Sequence, residues 1–186
     1  MKRRGGLLLL IRGFPGCGKS TLARNLVNMS SDRDFIRLDP DSVITSQLDR
    51  DSLLNFEGES VEVPTLVYRF LLMKAREALI QGNIVLWDQP WRSLWGIDVT
   101  IEKLEESAGY FKLIILELLL PAPVVKQRMK QRMDSGGHGP AEELFDRMVQ
   151  EFEYAPQDRF RVVQLDASGC PIALANQVMR LLEKEL

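Results

Sequence analysis

The sequence predicts an α/β protein built on a doubly wound parallel β-sheet. Two observations support this fold class: short apolar runs recur along the chain, and helical patterns lie between them. A continuous apolar run of this kind is typical of a strand that is covered by helices on both faces. With 186 residues, 45% of them hydrophobic and 27% charged, the chain has the size and composition of one globular domain, 1–186.

The first strand is predicted near the start of the chain, over Leu7 to Ile11. A basic start followed by a leucine run could also indicate a secretory signal. That run ends at Arg12, however, and no small-residue cleavage site comes after it. We therefore favour a buried strand that leads directly into the segment GFPGCGKST.

The segment GFPGCGKS matches the phosphate-binding pattern G-x-x-x-x-G-K-[ST] at every fixed position. Its glycines allow successive N–H groups to turn inward around phosphate oxygens. A helix that begins near Lys19 adds its positive end, the lysine should reach the β- and γ-phosphates, and the Ser20 hydroxyl should bind Mg²⁺. The predicted cofactors are ATP and Mg²⁺, and the predicted nucleotide-binding residues are Gly13, Phe14, Pro15, Gly16, Cys17, Gly18, Lys19, Ser20 and Thr21. The Cys17 side chain is interpreted as a small filler rather than a nucleophile.

The remaining elements are predicted from the alternation of apolar runs and helical patterns. Four further strands are predicted at 35–39, 84–88, 113–118 and 161–165. Helices are predicted near 64–80, 98–107, 123–133, 141–154 and 171–186. Ligands of such sheets bind beyond the carboxyl ends of the strands, which directs attention to the residues at those ends.

Two aspartates close predicted strands at this edge of the sheet. Asp39 ends the second strand and Asp88 ends the third. Asp88 is placed to support the metal together with Ser20 or to contact the acceptor, and Asp39 to accept a proton from an acceptor hydroxyl or to orient it. The alternative for Asp39 is a helix N-cap, because DPDS precedes an apolar pattern, although Asp41 could fill that role equally well.

A basic helix end and a glycine-rich loop predict a small lid at about 126–141. Arg128 and Arg132 lie four residues apart and therefore on one helix face. A mobile basic segment can close over a triphosphate and place guanidinium groups on the transferring oxygens. The alternative is a solvated helix face whose cations stabilise the helix dipole. His138 is interpreted as a loop residue rather than a catalyst.

The segment after the third strand is a candidate for the acceptor side of the site. Trp91 could form an aromatic wall there or pack in the core, and the sequence does not decide between the two. Arg92 is a candidate ligand for an acceptor phosphate or carboxylate. The acidic stretch with Glu57, Glu59 and Glu62 is interpreted as solvated loop, with an acceptor-binding loop as the alternative.

Charge and cysteine content narrow the expected partners. The net charge is −2 and the pI is about 5.6, which disfavours a long basic face for nucleic acid. Two cysteines without metal spacing suit a reducing cytosol, so a cytoplasmic location is expected. No run of apolar residues is long enough to predict a membrane span.

Taken together, these segments resemble a P-loop kinase of the polynucleotide-kinase and zeta-toxin-like (AAA_33-type) group, to which chloramphenicol phosphotransferase is also similar. The resemblance covers nearly the whole chain and rests on GFPGCGKSTLA, FIRLDPDSV, GNIVLWDQ, LLPAPVVKQRMKQR and FDRMVQEFEYAP. It implies a three-layer P-loop NTPase sandwich with strand order 2-3-1-4-5. It also implies that Asp39 acts on the acceptor hydroxyl and that Arg128, with Arg132, contacts the phosphates of ATP.

Two departures from the family pattern bear on the acceptor and leave the ATP chemistry intact. Polynucleotide kinases usually carry an arginine three positions after the catalytic aspartate, where this chain has Ser42. Zeta toxins tend to end the third strand with Glu-Gly, where this chain has Asp88 and Gln89.

The predicted function is transfer of the γ-phosphate of ATP to a hydroxyl of a small molecule such as a metabolite, an antibiotic or a sugar nucleotide. One alternative is a kinase of polynucleotide 5′-hydroxyls or tRNA. Another is an ATPase module without an acceptor. An antitoxin-like protein partner stays open.

Overall fold

The predicted strands form one parallel sheet in the computed structural model, which describes residues 5–30, 35–46, 63–136 and 141–185. The strand order is β2-β3-β1-β4-β5, which confirms the predicted order 2-3-1-4-5. The strands are β1 Leu7–Arg12, β2 Phe35–Leu38, β3 Ile84–Asp88, β4 Lys112–Leu119 and β5 Val162–Asp166.

The first strand occupies the centre of the sheet. Its register places Leu9 opposite Leu86 on one side and opposite Ile114 on the other. All residues from Leu7 to Arg12 are buried, as a strand with partners on both edges and helices on both faces requires. The leucine run is therefore the central strand of the core, which confirms the strand prediction.

Helices cover both faces of the sheet. Within the described ranges they are α1 Lys19–Met29, α2 Pro40–Ser46, α3 Val63–Gln81, α4 Leu94–Ala108, α5 Ala122–Asp134, α6 Glu142–Gln150 and α7 Pro171–Glu185. α1 and α7 pack on one face, and α3 and α4 pack on the other. Because strand side chains alternate, Leu7 and Leu9 enter the first layer while Leu8 and Leu10 enter the second. Each such leucine contributes about 1.5–3 kcal/mol on burial.

Two predicted helices differ from the observed ones at an end. The helix predicted near 98–107 begins already at Leu94, because the Ser93 side chain accepts a hydrogen bond from the Gly96 N–H at 3.3 Å and caps it. The helix predicted at 141–154 ends at Gln150. The chain after Gln150 turns to contact Arg12 of β1 and Glu117 of β4 instead.

None of the helices in the described ranges combines the length and apolar character needed to span a bilayer.

Candidate active site

The phosphate-binding segment forms a tight loop between β1 and α1. Gly13 has φ 141°, and a Cβ there would lie 2.8 Å from both the Cys17 sulfur and the Leu118 carbonyl oxygen. Gly18 has φ 103° and precedes the first residue of α1. Only glycine adopts these conformations without strain. In the part of the chain that the structure describes, no side chain caps the start of α1, so its first N–H groups are available to an anion.

The Lys19 ammonium group lies against this loop. Its Nζ donates to the carbonyl oxygens of Gly13 and Phe14 at 3.0 and 2.9 Å. Burial lowers the pKa of Lys19, while the negative charges of Asp88 and Asp41 oppose that shift. The ammonium is therefore held at the loop with little water around it, where a phosphate would be a strong additional partner.

The side chains of Phe14 and Cys17 pack into the apolar core beside the loop. The Phe14 ring packs against Phe145 and Phe152, with centroid distances of 5.9 and 4.8 Å. Cys17 is buried, and burial raises the pKa of its thiol, which agrees with a filler rather than a nucleophile.

A cavity of about 910 Å³ opens beside the loop and collects most of the residues predicted from the sequence. It lies at the carboxyl ends of β2 and β3, where the fold class predicts a ligand site. The predicted residues that line it are Pro15, Gly16, Gly18, Lys19, Ser20, Thr21, Asp39, Asp88, Arg128 and Arg132.

Arg37 joins the two strand-end aspartates. Its Nε donates to Asp88 Oδ1 at 3.1 Å, and its Nη2 donates to Asp88 Oδ2 at 3.0 Å and to Asp39 Oδ2 at 2.7 Å. Burial raises the pKa of Asp88, and the hydrogen bonds from Arg37 oppose that shift. Burial alone would lower the pKa of Arg37, but its bonds and charge interactions with the two aspartates raise it. The three side chains thus form one charged cluster at the edge of the cavity.

Asp39 also caps α2. Its Oδ1 accepts a hydrogen bond from the Asp41 N–H at 3.0 Å, and its carbonyl oxygen accepts one from the Ser42 N–H at 3.2 Å. The N-cap alternative therefore describes its contacts, and Asp39 lines the cavity at the same time. Asp41 lines the cavity too, and its charge acts on Lys19.

Ser20 and Asp88 provide oxygen atoms suited to a magnesium ion. Ser20 and Asp88 line the same cavity, and the Ser20 side chain is one of the groups that lower the pKa of Asp88 against the effect of burial, so a hydroxyl and a carboxylate are close together next to the loop. Within the described ranges no group of three or more His, Cys, Asp or Glu residues could hold a metal ion. This donor set fits Mg²⁺, which is usually held by one or two protein oxygens together with substrate phosphates and waters.

Arg128 and Arg132 project from α5 toward the same cavity. Arg128 is partly buried, and its Nη2 donates to the Ala167 carbonyl oxygen at 3.3 Å. Arg132 is exposed. A second, smaller cavity of about 280 Å³ adjoins the loop on the side of Arg128 and Ala167.

Trp91 and Arg92 lie away from the cavity. The Trp91 ring is buried in the core and packs against the Trp87 ring, with a centroid distance of 5.2 Å. The packing alternative therefore describes Trp91. Arg92 is turned to the surface, where its Nη1 lies 3.7 Å from Glu151 Oε2. Their neighbours Gln89 and Pro90 line the cavity instead, because Trp91 turns the chain away with φ 47°.

Some sequence-based interpretations fall outside the described residues. They concern Glu57, Glu59, Glu62 and His138, together with part of the predicted lid, which is described up to residue 136 and again from 141.

The sequence matches AAA_33, an AAA domain, over residues 8–155. The chain belongs to this family. The match confirms the resemblance inferred from the motifs. A search of curated proteins finds no match.

Solved structures show the same fold as this AAA domain at low sequence identity. A gluconokinase from Sinorhizobium meliloti has a TM-score of 0.59 at 19% identity, with 99% of this chain and 97% of that chain covered. The APS kinase CysC of Mycobacterium tuberculosis, in complex with AMPPNP and APS, has a TM-score of 0.62 at 17% identity, with 96% and 98% covered. Kti12 of Chaetomium thermophilum, in complex with ADP-AlF3, has a TM-score of 0.67 at 17% identity, with 95% and 97% covered.

Sequence reasoning missed Arg37 and Arg24. Arg24 lines the cavity from α1, and its Nε donates to the Ser20 carbonyl oxygen at 3.2 Å. A signal existed for Arg37, because it is the one charged residue inside the apolar run FIRL that forms β2. A charge at such a position needs a partner, and the strand-end aspartates were the nearest candidates.

Proposed function

We propose that the protein is a kinase that depends on ATP and Mg²⁺ and transfers the γ-phosphate to a hydroxyl group of a small molecule. The observation that carries this proposal is the composition of one cavity, which has Lys19, Arg128 and Arg132 among its walls and also Asp39 and Asp88. Phosphoryl transfer needs cations around the transferring oxygens and a group that orients the attacking hydroxyl. The cavity combines both.

The nucleotide would lie with its phosphates in the loop and its base in the smaller cavity. Backbone N–H groups and Lys19 would bind the phosphates, and the cleft beside Arg128 and Ala167 would receive the base. The similar structures of APS kinase and Kti12 hold AMPPNP and ADP-AlF3, which supports a nucleotide on this fold.

Ser20 and Asp88 would hold Mg²⁺, with Ser20 as a direct ligand and Asp88 behind it. The bound ion would neutralise part of the charge on the phosphate oxygens. Arg37 fixes the Asp88 carboxylate through two hydrogen bonds, so the orientation of that carboxylate is set before any ligand arrives.

Asp39 would orient the acceptor hydroxyl or accept its proton, in line with the leaving nucleotide. Two of its contacts, with Arg37 and with the Asp41 N–H, fix the carboxylate at the cavity edge. Asp41 is a second carboxylate on the same wall. A small-molecule acceptor agrees with the similarity to gluconokinase and APS kinase and with a net charge of −2.

Arg128 and Arg132 would act from the lid, at about 126–141, on the charge that spreads over the transferring phosphoryl group.

A kinase that uses ATP would work in the cytoplasm, where the free thiols of Cys17 and Cys170 would stay reduced.

The test is ADP formation by the purified protein with ATP and Mg²⁺, alone and with two fractions of a cell extract. One fraction holds small molecules, and the other holds RNA and single-stranded DNA oligonucleotides. We expect the small-molecule fraction to stimulate ADP formation several-fold over the protein alone. Stimulation by the nucleic-acid fraction only, falling steeply with salt, would instead identify a polynucleotide kinase. Equal turnover in all three samples would identify an ATPase without an acceptor.

A further inference from the structure

Arg12 and Glu117 form an ion pair in the interior. Their side chains are both 0% exposed, and Arg12 Nη1 lies 3.2 Å from Glu117 Oε1. They stand opposite each other on the central strands β1 and β4. Such a pair seldom adds stability over well-packed apolar residues, and Arg12 Nε has no hydrogen-bond partner among the described residues. Stability therefore does not explain the pair, whereas its contacts suggest a role in positioning.

Arg12 contacts two segments that come from distant parts of the chain. The first is the β3 loop, residues 89–93, whose Trp91 carbonyl oxygen accepts from Arg12 Nη2 at 2.8 Å. The second is the return segment, residues 151–155, which comes after α6. Its Glu153 carbonyl oxygen also accepts from Arg12 Nη2, and its Phe152 ring lies 4.5 Å from the guanidinium carbon.

Glu117 holds the return segment from the other side. Its Oε1 accepts from the Ala155 N–H at 3.2 Å, and its Oε2 accepts from Gln164 Nε2 at 3.0 Å. Both residues of the ion pair thus contact the backbone of the return segment, Arg12 at Glu153 and Glu117 at Ala155.

The two segments also bind each other directly. The Glu153 N–H donates to the Arg92 carbonyl oxygen at 3.1 Å. The Glu153 side chain accepts from the Leu94 N–H at 2.7 Å, where α4 begins. The β3 loop is therefore bound on one side by Arg12 and on the other by Glu153.

The conformation of the β3 loop depends on these contacts. Trp91 has φ 47°, which a bulky residue keeps only when its surroundings enforce it. Just before Trp91, Gln89 and Pro90 line the large cavity, and the Gly13 N–H approaches the Pro90 carbonyl oxygen at 3.5 Å. The contacts of Arg12 and Glu153 therefore support both Trp91 and the cavity wall at Gln89 and Pro90.

We infer that Arg12 and Glu117 are positioning residues through which the return segment after α6 sets the β3 loop and with it the cavity wall at Gln89 and Pro90. A shift of α6 reaches that wall through Glu153 and Arg12. α5 carries Arg128 and Arg132, and its Lys126 pairs with Glu142 and Asp146 of α6 at 3.2 and 2.7 Å. Through these contacts, nucleotide bound by the two arginines is linked to the acceptor side of the cavity. The assignment of that side rests on the proposed function.

Hydrogen–deuterium exchange of the full-length protein, read by mass spectrometry, tests this link with and without Mg·AMPPNP as the probe. Glu153→Ala removes the side-chain contact to Leu94 from an exposed position and leaves no buried charge unpaired. The double variant Arg12→Met/Glu117→Gln removes both charges of the buried pair together. Glu77→Ala is the control, because it removes an exposed partner of Lys74 on α3, outside the two segments and outside α5 and α6.

In the wild type, we expect Mg·AMPPNP to slow exchange in the peptides that cover 89–94 and 151–155. In Glu153→Ala and in the double variant, exchange over 89–94 should rise about fivefold without nucleotide, as expected for the loss of a supporting hydrogen bond. Mg·AMPPNP should slow it less than in the wild type in Glu153→Ala and not at all in the double variant, while the Kd for Mg·AMPPNP stays within about twofold of the wild type. Glu77→Ala should match the wild type.

Wild-type exchange over 89–94 in Glu153→Ala, with its nucleotide response intact, would overturn the inference. That variant decides alone if the double variant does not fold. A wild type that fails to bind Mg·AMPPNP would count against the proposed function. The exchange over 89–94 in Glu153→Ala without nucleotide would still decide whether the return segment sets the β3 loop.

Discussion

Arg37 donates two hydrogen bonds to the Asp88 carboxylate, from Nε to Oδ1 at 3.1 Å and from Nη2 to Oδ2 at 3.0 Å. The arginine lies on β2 and the aspartate at the end of β3, so the contact ties the two strand ends together. Asp88 has a fully buried side chain, and without Arg37 its charge would lose its main partner. The same guanidinium also holds Asp39, so one residue organises both aspartates of the candidate site.

Arg37→Gln is expected to lower the free energy of unfolding by about 1–3 kcal/mol, because it leaves a buried carboxylate poorly paired. Adding Asp88→Asn removes that charge, so the double variant should recover most of the loss in stability. Its activity should nevertheless stay low, since Asp88 is the proposed support for the metal. Urea unfolding of the two single variants and the double variant measures the coupling.

Lys74→Gln is the control for that cycle, because Lys74 forms an exposed ion pair with Glu77 at 3.1 Å. Its effect should stay within about 0.5 kcal/mol. Strictly additive losses in Arg37→Gln and Asp88→Asn would contradict the proposed charged cluster.

Lys19→Met should change how stability depends on pH. Since burial lowers the pKa of Lys19, the folded protein releases this proton at a lower pH than the unfolded chain. The free energy of unfolding of the wild type, measured relative to that of Lys19→Met, should therefore increase as the pH rises from the lowered pKa toward 10.5, the ordinary lysine value. Urea unfolding of both proteins at about pH 7 and about pH 9.5 reads the difference. A difference that shrinks with pH would show that Lys19 is not desolvated.

Asp39→Asn should lower turnover by about tenfold or more and leave the affinity for ATP unchanged, if Asp39 acts on the acceptor. The amide oxygen can still cap α2 by accepting from the Asp41 N–H, so the loop geometry should persist. Asp41→Asn is the matched comparison on the same cavity wall. Steady-state kinetics separate the two effects, and an equal loss of nucleotide affinity in Asp39→Asn would show that its role is structural.

Arg128→Gln and Arg132→Gln should differ in their effects. Arg128 borders both cavities, so its loss should weaken Mg·ADP binding as well as turnover. Arg132 borders only the larger one of these two, so its loss should lower turnover by about 10²-fold with a smaller effect on binding. Lys130→Gln changes an exposed cation on the same helix and should match the wild type. Calorimetry measures the binding and steady-state kinetics measure the turnover of each variant. An effect of Arg132→Gln no larger than that of Lys130→Gln would contradict the proposed role of the lid.

Most of the fold could be predicted because local patterns decide it. The apolar runs at β1, β3 and β4 are long enough to be buried on both faces, and the glycine-rich motif predicts the tight loop and the helix after β1. The helix end at Gln150 was mispredicted because tertiary contacts override the local pattern there. The amphipathic pattern continues past Gln150. The backbone of Glu153 and Ala155 nevertheless bonds to the side chains of Arg12 and Glu117 instead of continuing the helix.

The candidate site was predictable where chemistry and strand position coincide, as for Lys19, Ser20 and Asp88. It was not predictable where a backbone torsion decides which way a side chain faces. Trp91 and Arg92 come shortly after β3, yet the positive φ of Trp91 leaves Gln89 and Pro90 at the cavity instead. Arg37 was missed although its charge within an apolar run was a signal, because its second partner, Asp88, is brought to it only by the sheet.

The most direct measurement uses ATP labelled with heavy oxygen at its γ-phosphate, incubated with the protein, Mg²⁺ and a small-molecule extract. Mass spectrometry then traces the labelled phosphate to its product. We predict that the wild type transfers it to one organic species and that Lys19→Met transfers it to none. Labelled inorganic phosphate as the sole product, or equal labelling by Lys19→Met, would contradict phosphate transfer at this site.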